Sequence, residues 1–349
     1  MKVFLIVLLC SIALSTLIVF LARRNQWFLT QHDLVGVQKF HHQPTPHVGG
    51  LSVFLSFFFG SFLLPPDLQN IAMPIFLVSS PVFLIGLIED LSAKVSPLTR
   101  LIFIFLALIV SFFYLKIGVF SLGFVWTDSL LAYPLIGLAF TLLVVGGAVN
   151  ALNVIDGYNG LMSGYALLAL SSMSIVAYHL EDFAILQLNL LFFASIAGFF
   201  LLNFPLGKIF MGDGGAYFIG FMLSMIGLIF VDRHDVLSNW FVLALLMYPM
   251  YELLFSIYRK KIIHKTLASQ PDGYHLHMLI HKAVVARNPK STKLMNNSMT
   301  SPFLWLISLV SIVPAVVWHD DKIMLIGWAC VFMMVYTAIY HQIYKSQST

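Results

Sequence analysis

The chain has 349 residues, 60% of them hydrophobic and 10% charged, with a mean hydropathy of +0.92 and a formal net charge of +4. This composition describes a protein made largely of membrane spans, and it leaves the basic residues in short loops with no soluble domain to present them to a nucleic acid. The two cysteines, Cys10 and Cys330, both fall inside apolar runs, which argues against a disulfide framework or a cysteine-ligated zinc site.

Apolar runs of about 18 residues or more are read as transmembrane helices. Eleven are expected, at 3–22, 48–66, 71–89, 99–118, 129–149, 160–179, 183–203, 215–231, 238–258, 302–318 and 323–343. The first is too long for a signal peptide and carries no small-residue cleavage site before Arg23-Arg24, so it is read as a retained span. Pro134 and Pro249 are expected to kink their spans. With the N-terminus outside and the C-terminus inside, only Lys2, Lys116, Arg233 and Lys322 of the 19 Lys and Arg residues face outward. The acidic residues divide seven inside and eight outside, so the bias is specifically cationic, as the positive-inside rule requires. The expected architecture is therefore all-α and polytopic. It forms a single transmembrane domain over 1–349, with cytoplasmic loops near 23–47, 90–98, 150–159, 204–214 and 259–301. A basic cytoplasmic face of this kind attracts anionic lipid headgroups or an anionic soluble substrate such as a nucleotide.

Polar groups gather at the ends of these spans on that one side, where ionisable residues are expensive and read as functional. In KFHHQPTPHVGG (39–50), Lys39, His41 and His47 are candidate phosphate contacts beside a stiffened, glycine-ended backbone. GLIEDL (86–91) ends a span with adjacent Glu89 and Asp90. One can handle a proton while the other holds a metal or a basic residue. A helix C-terminus disfavours anions, which weighs against a bland reading of this pair. NALNVIDGYNGL (150–161) repeats Asn150, Asn153 and Asp156 at three-residue spacing, as one face of a helical turn suited to hydrogen bonding a base or ribose. NFPLGKIFMGDGG (203–215) holds Asp213 between glycines, its carboxylate open to a hard cation such as magnesium. The inward loop RKKIIHKTLASQPDGYHLHMLIH (259–281) carries His275, His277 and His281. A two-histidine zinc site would need a nearby carboxylate. Contacts to a diphosphate, aided by Arg259 and Lys265, are the preferred reading. Glu252, two turns before Arg259, is expected to pair with a basic or polar neighbour in a structural role.

Taken in order, PTPHVGG, GLIEDL, NALNVIDGYNGL, NFPLGKIFMGDGGAYFIGF and DGYHLH resemble the polyprenyl-phosphate N-acetylhexosamine-1-phosphate transferase family, over about residues 39–281. The DxxHxH pattern is more similar to the branch that initiates O-antigen, common-antigen or teichoic-acid linkage synthesis than to the phospho-MurNAc-pentapeptide transferases. The resemblance implies transfer of a sugar 1-phosphate from a UDP-N-acetylhexosamine to a polyprenyl phosphate, undecaprenyl phosphate in a bacterium, with UMP released at the cytoplasmic face of the inner membrane. It implies magnesium, or manganese in its place, on Asp213, and Asp90 with Glu89 and Asp156 as catalytic carboxylates. Asn150, Asn153, Asp156 and Asn159 would then lie at the nucleotide. Lys39, His47, Lys208, Arg259, Lys265, His275 and His277 would contact phosphate or sugar. A homodimer is compatible with the reading. Three departures stand out: Glu89 in place of a first Asp, Asn159 in place of a second, and His47 in place of Arg. A transporter or lipid flippase is the competing class, but it would put polar residues near the bilayer midplane. A CDP-alcohol phosphatidyltransferase would need a DGxxAR signature, which is absent.

Overall fold

The computed structural model describes residues 2–25, 45–263, 265 and 273–348, which are largely helical with no strand among them. Lys39 and His41 lie outside the described residues. The helices are α1 (Lys2–Asn25), α2 (Gly50–Ser61), α3 (Pro66–Ser92), α4 (Pro97–Val110), α5 (Val125–Leu131), α6 (Pro134–Ile155), α7 (Leu161–His179), α8 (Phe183–Asn203) and α9 (Gly212–Asp232), followed by α10 (Trp240–Leu245), α11 (Met247–Tyr258), α12 (Leu276–Arg287), α13 (Lys293–Val317) and α14 (Lys322–Ser348). A π-helical turn extends α4 (Ser111–Leu115) and another extends α11 (Arg259–Ile263).

Nine helices among the described residues are long and apolar enough to cross a membrane: α1, α3, α4 with its π turn, α6, α7, α8, α9, α13 and α14. They coincide with nine of the eleven expected spans. The other two differ in form. The run at 48–66 yields α2, whose 12 residues rise only about 18 Å. The run at 238–258 is broken at Leu246 into α10 and α11. Pro249 accounts for the break, because it lacks an N–H for the carbonyl four residues back and its ring clashes there. That carbonyl belongs to Leu245, and it accepts the Tyr165 hydroxyl of α7 instead. Pro134 does not kink a span as expected. It sits at the first position of α6, where its missing N–H and fixed φ cost nothing.

At the centre stands α9, buried along almost its whole length and packed against α2, α3, α6, α7, α8 and α10. Between membrane helices the packing force comes from close van der Waals approach, so small residues mark the tightest contacts. A Cβ on Gly86 of α3 would lie 2.5 Å from the Gly214 Cα, and one on Gly50 would run into Gly215. Further along the same interface the helices separate enough for rings. Phe54 stacks on Phe83 at 4.1 Å, and Phe218 of α9 meets Phe54 edge-on at 5.2 Å.

The far end of the bundle is tied by Asp182, which caps α8 through the Ile185 N–H and binds Arg233 Nε at 2.7 Å and His234 Nε2 at 2.9 Å. Burial works against its charge, yet the hydrogen bonds from Arg233, Ile185 and His234 hold the carboxyl below its ordinary value.

Gly86→Ala should lower stability by about 1–3 kcal/mol, because the added methyl meets backbone that cannot rotate away. Thermal unfolding of the detergent-solubilised variant against Gly327→Ala, where a Cβ meets nothing within 4 Å, checks this.

Candidate active site

Five chain segments reach one end of the bundle together: the end of α3, the start of α4, the end of α6, the start of α9, and the start of α12. The first contact among them is between α3 and α9. Asp90 Oδ1 accepts the Asp213 N–H at 2.7 Å, and Asp90 Oδ2 accepts the Gly214 N–H at 3.0 Å. A helix N-terminus carries unpaired N–H groups and partial positive charge, so a carboxylate belongs there. The anion that sits badly at the C-terminus of α3 is thus satisfied by the N-terminus of α9. Gly212 has φ +78°, and a side chain there would strike the Asp90 carboxylate and the His47 carbonyl, so glycine is required. The PTPHVGG backbone completes the corner: Phe210 N–H donates to Pro46 O, and Gly49 and Gly50 donate to Phe210 O and Met211 O, each within 2.9 Å. His47 is half-buried there, its ring 4.8 Å from Phe210.

Asp213 projects from this corner with its carboxylate 26% exposed. One oxygen accepts Asn153 Nδ2 at 2.8 Å, and the other meets the Arg100 guanidinium. Arg100 also lies over the Tyr217 ring, 5.9 Å from its centre. In the sequence Arg100 is only one more inward-facing cation. Its signal was electrostatic: an arginine in the first turn of a helix sits against the dipole and needs an anion to justify it. Asp156 ends α6 beside this group, within electrostatic reach of Asp90, as is Glu89. Burial pushes the Asp156 carboxyl up to about 7.

Other expected residues are placed differently. Glu89 Oε2 accepts the Val95 N–H at 2.7 Å and holds the α3–α4 turn. Asn150 donates to Gly146 O within its own helix. Asn159 is buried against α13: its N–H donates to Asn297 Oδ1, its Nδ2 to Ser298 Oγ, and its carbonyl accepts Ser301 Oγ. This is a joint between the α6–α7 turn and α13, not a position facing the carboxylates. Arg259 is buried too, donating to Tyr274 O at 2.6 Å and lying over the Tyr340 ring. It anchors the histidine segment. Lys208 and Lys265 are exposed.

The histidine segment docks on the α6–α7 turn. His277 Nε2 is 3.7 Å from where a Gly157 Cβ would lie, and Tyr158 packs its ring 5.7 Å from His277 and 4.9 Å from His281. His275 and His277 stack at 5.1 Å. His281 Nδ1 meets Thr300 Oγ1 at 3.0 Å, joining α12 to α13, and burial pushes its imidazole below its ordinary value. A cluster of anionic oxygens beside one guanidinium and a stacked imidazole pair can hold a hard cation and a phosphorylated ligand together.

Residues 72–231 match the family model of Glycosyl transferase family 4. The chain is similar to the probable undecaprenyl-phosphate N-acetylglucosaminyl 1-phosphate transferase of Bacillus subtilis, 28% identical over 313 residues, which cover 88% of this chain and 81% of that protein. It is 29% identical over 280 residues to the undecaprenyl-phosphate alpha-N-acetylglucosaminyl 1-phosphate transferase of Thermotoga maritima, covering 78% and 79% of the two chains. The Escherichia coli K12 protein of the same name is 25% identical over 278 residues, covering 77% and 74%.

The Asp156 titration gives a prediction with a definite sign. Its folded carboxyl titrates near 7 and its unfolded carboxyl near the ordinary 3.8, so between those values the folded state keeps a proton that the unfolded chain has released. The contribution of Asp156 to stability is therefore full below about pH 4 and is lost as pH rises toward 7. Asp156→Asn should lack that component. Thermal unfolding of both proteins across pH 4–8, in chelator, should give curves that diverge as pH increases.

Proposed function

The chain belongs to glycosyl transferase family 4, and on that premise we propose that it transfers N-acetylhexosamine 1-phosphate from a UDP-N-acetylhexosamine to a polyprenyl phosphate. Undecaprenyl phosphate is the acceptor if the host is a bacterium, UMP is the second product, and the reaction starts a cell-surface glycan at the cytoplasmic face of the inner membrane. The observation that supports this reading above others is the Asp213 constellation: a partly exposed carboxylate between Arg100 and Asn153, braced by Asp90, at one end of a membrane bundle. A transporter would need its ionisable groups along a path through the bilayer. Here Glu89, Asp90, Arg100, Asn153, Asp156 and Asp213 share one end.

In the proposed reaction an oxygen of the lipid phosphate attacks the sugar-bearing phosphorus of the donor. The bond from that phosphorus to the bridging oxygen breaks, and the oxygen leaves with UMP. Both reactants are anions, so charge neutralisation and alignment supply most of the rate. The donor set fits magnesium. Asp213 offers hard carboxylate oxygens, partly exposed and already matched to a cationic partner in Arg100. Asp213 would hold the ion, which when bound draws charge from the diphosphate and leaves the phosphorus more electrophilic. Manganese satisfies the same donors.

The protein groups then divide the work. Asp90 keeps the α9 N-terminus aimed at the site, with Asp213 fixed by its own backbone N–H. Arg100 supplies a permanent positive charge for the transferring phosphate, and the Asn153 amide orients Asp213. Asp156, ionised above about pH 7, is the carboxylate placed to take the remaining lipid-phosphate proton. His275 and His277 approach from the α12 side, where they can meet the donor's diphosphate and sugar.

Incubating the purified protein with a panel of UDP-N-acetylhexosamines, polyprenyl phosphate and Mg²⁺ tests the reading. UMP together with a lipid-diphosphate sugar is expected, and release of UDP would refute it. Asp213→Asn should reduce turnover by at least about 100-fold while the protein still inserts and folds.

A further inference from the structure

Beneath the histidine segment lies a buried carboxylate that the reaction above does not use. Glu252 of α11 is 1% exposed. Its Oε1 accepts the Leu276 N–H at 3.0 Å and the His275 Nδ1–H at 2.9 Å, and stands 3.9 Å from His277 Nδ1. A carboxylate withdrawn this far from water needs such donors to remain charged. By residue type alone Glu252 calls only for a basic or polar partner. The structure gives it both histidines of the HxH pattern and the first turn of the helix that carries them.

Two readings of this cluster compete. The ligand atoms of Glu252, His275 and His277 lie within 4.8 Å of one another, as in a two-histidine, one-carboxylate metal site. An imidazole, however, binds a metal along its lone pair, in the plane of its ring. The His275 and His277 rings lie nearly parallel, 5.1 Å apart with an interplanar angle of 11°, and His275 Nδ1 is already turned to Glu252 Oε1. Glu252 Oε1 also already accepts two N–H groups. The geometry is that of a carboxylate–histidine dyad.

Such a dyad has a definite consequence. When Nδ1 carries the proton given to Glu252, the tautomer and the ring rotation are both set, and the imidazole meets any ligand through Nε2. The main-chain bond to Leu276 fixes the peptide between the two histidines. One residue earlier, Arg259 fixes Tyr274 through its carbonyl. Resting on the transferase reading, we propose that Glu252 is a positioning residue of the donor site: through the His275 Nδ1–H and the Leu276 N–H it presents the Nε2 edges of the HxH pair to the diphosphate of the nucleotide sugar. The expected effect is on donor binding, because in the reaction above the two histidines meet the donor's diphosphate and sugar.

The experiment combines kinetics with ¹⁵N spectra of the imidazoles in the full-length protein. Glu252→Ala should raise KM for the UDP-sugar by roughly tenfold or more, with a smaller change in kcat and with KM for polyprenyl phosphate within about twofold. Glu252→Gln keeps an acceptor oxygen in place and should recover most of that loss. In the wild-type spectrum His275 should show a proton on Nδ1. The spectrum needs no turnover, so it tests Glu252 even if no UDP-sugar is a substrate, which would sink the transferase reading alone. A wild-type spectrum with the His275 proton on Nε2 only overturns the proposal without any variant. So does an unchanged donor KM in a folded Glu252→Ala protein. About one equivalent of tightly bound transition metal, lost in Glu252→Gln, would also overturn it in favour of the metal site.

Discussion

The geometry of this site depends on one electrostatic match: the carboxylate that ends α3 caps the helix that starts at Gly212. Asp90 takes two N–H groups that α9 cannot satisfy itself, and Asp213 is one of the residues donating them. The position of Asp213 is thereby referred to α3 through its own backbone. The Gly86–Gly214 contact one turn away brings the two helices close enough for the cap to form. Were either element displaced, Asp213 would lose its bearing on Asn153 and Arg100.

Around this corner the charges are arranged by contrast. Asp90 has both oxygens bound to backbone and is held in one place. Asp213 shares its oxygens between a side-chain amide and a guanidinium, partners that can exchange for a ligand. Asp156 is raised to about 7 by burial, so its charge changes within the physiological range. In the proposed reaction these three carboxylates of the same chemistry would serve as a brace, a ligand and a proton acceptor through their surroundings alone.

Much of this was legible in the chain. The apolar runs at α1, α3, α4, α6, α7, α8, α9, α13 and α14 are long and uninterrupted, and hydropathy alone finds them. The polar motifs at their ends pointed to Asp90, Asn153, Asp156 and Asp213, because charge at a membrane edge is costly enough to be informative. What escaped was pairing. Asn159 and Arg259 look like ligand contacts by residue type, but tertiary partners on α13, Tyr274 and Tyr340 claim them. Arg100 and Glu252 look like topology and packing until Asp213 and His275 are brought to them across 113 and 23 residues. The shortness of α2 was hidden for a related reason. Its apolar run continues through a turn at 62–65, and composition does not mark where the helix stops.

The site is also divided along the chain. Asp90, Arg100, Asn153, Asp156 and Asp213 come from residues 90–213, and Glu252, His275 and His277 come from residues 252–277. The two groups meet where Gly157 and Tyr158 receive the histidine segment. A change in α11 or α12 can shift the histidines against the Asp213 corner without passing through α3 or α9, so the two halves of the site are adjustable by different stretches of chain.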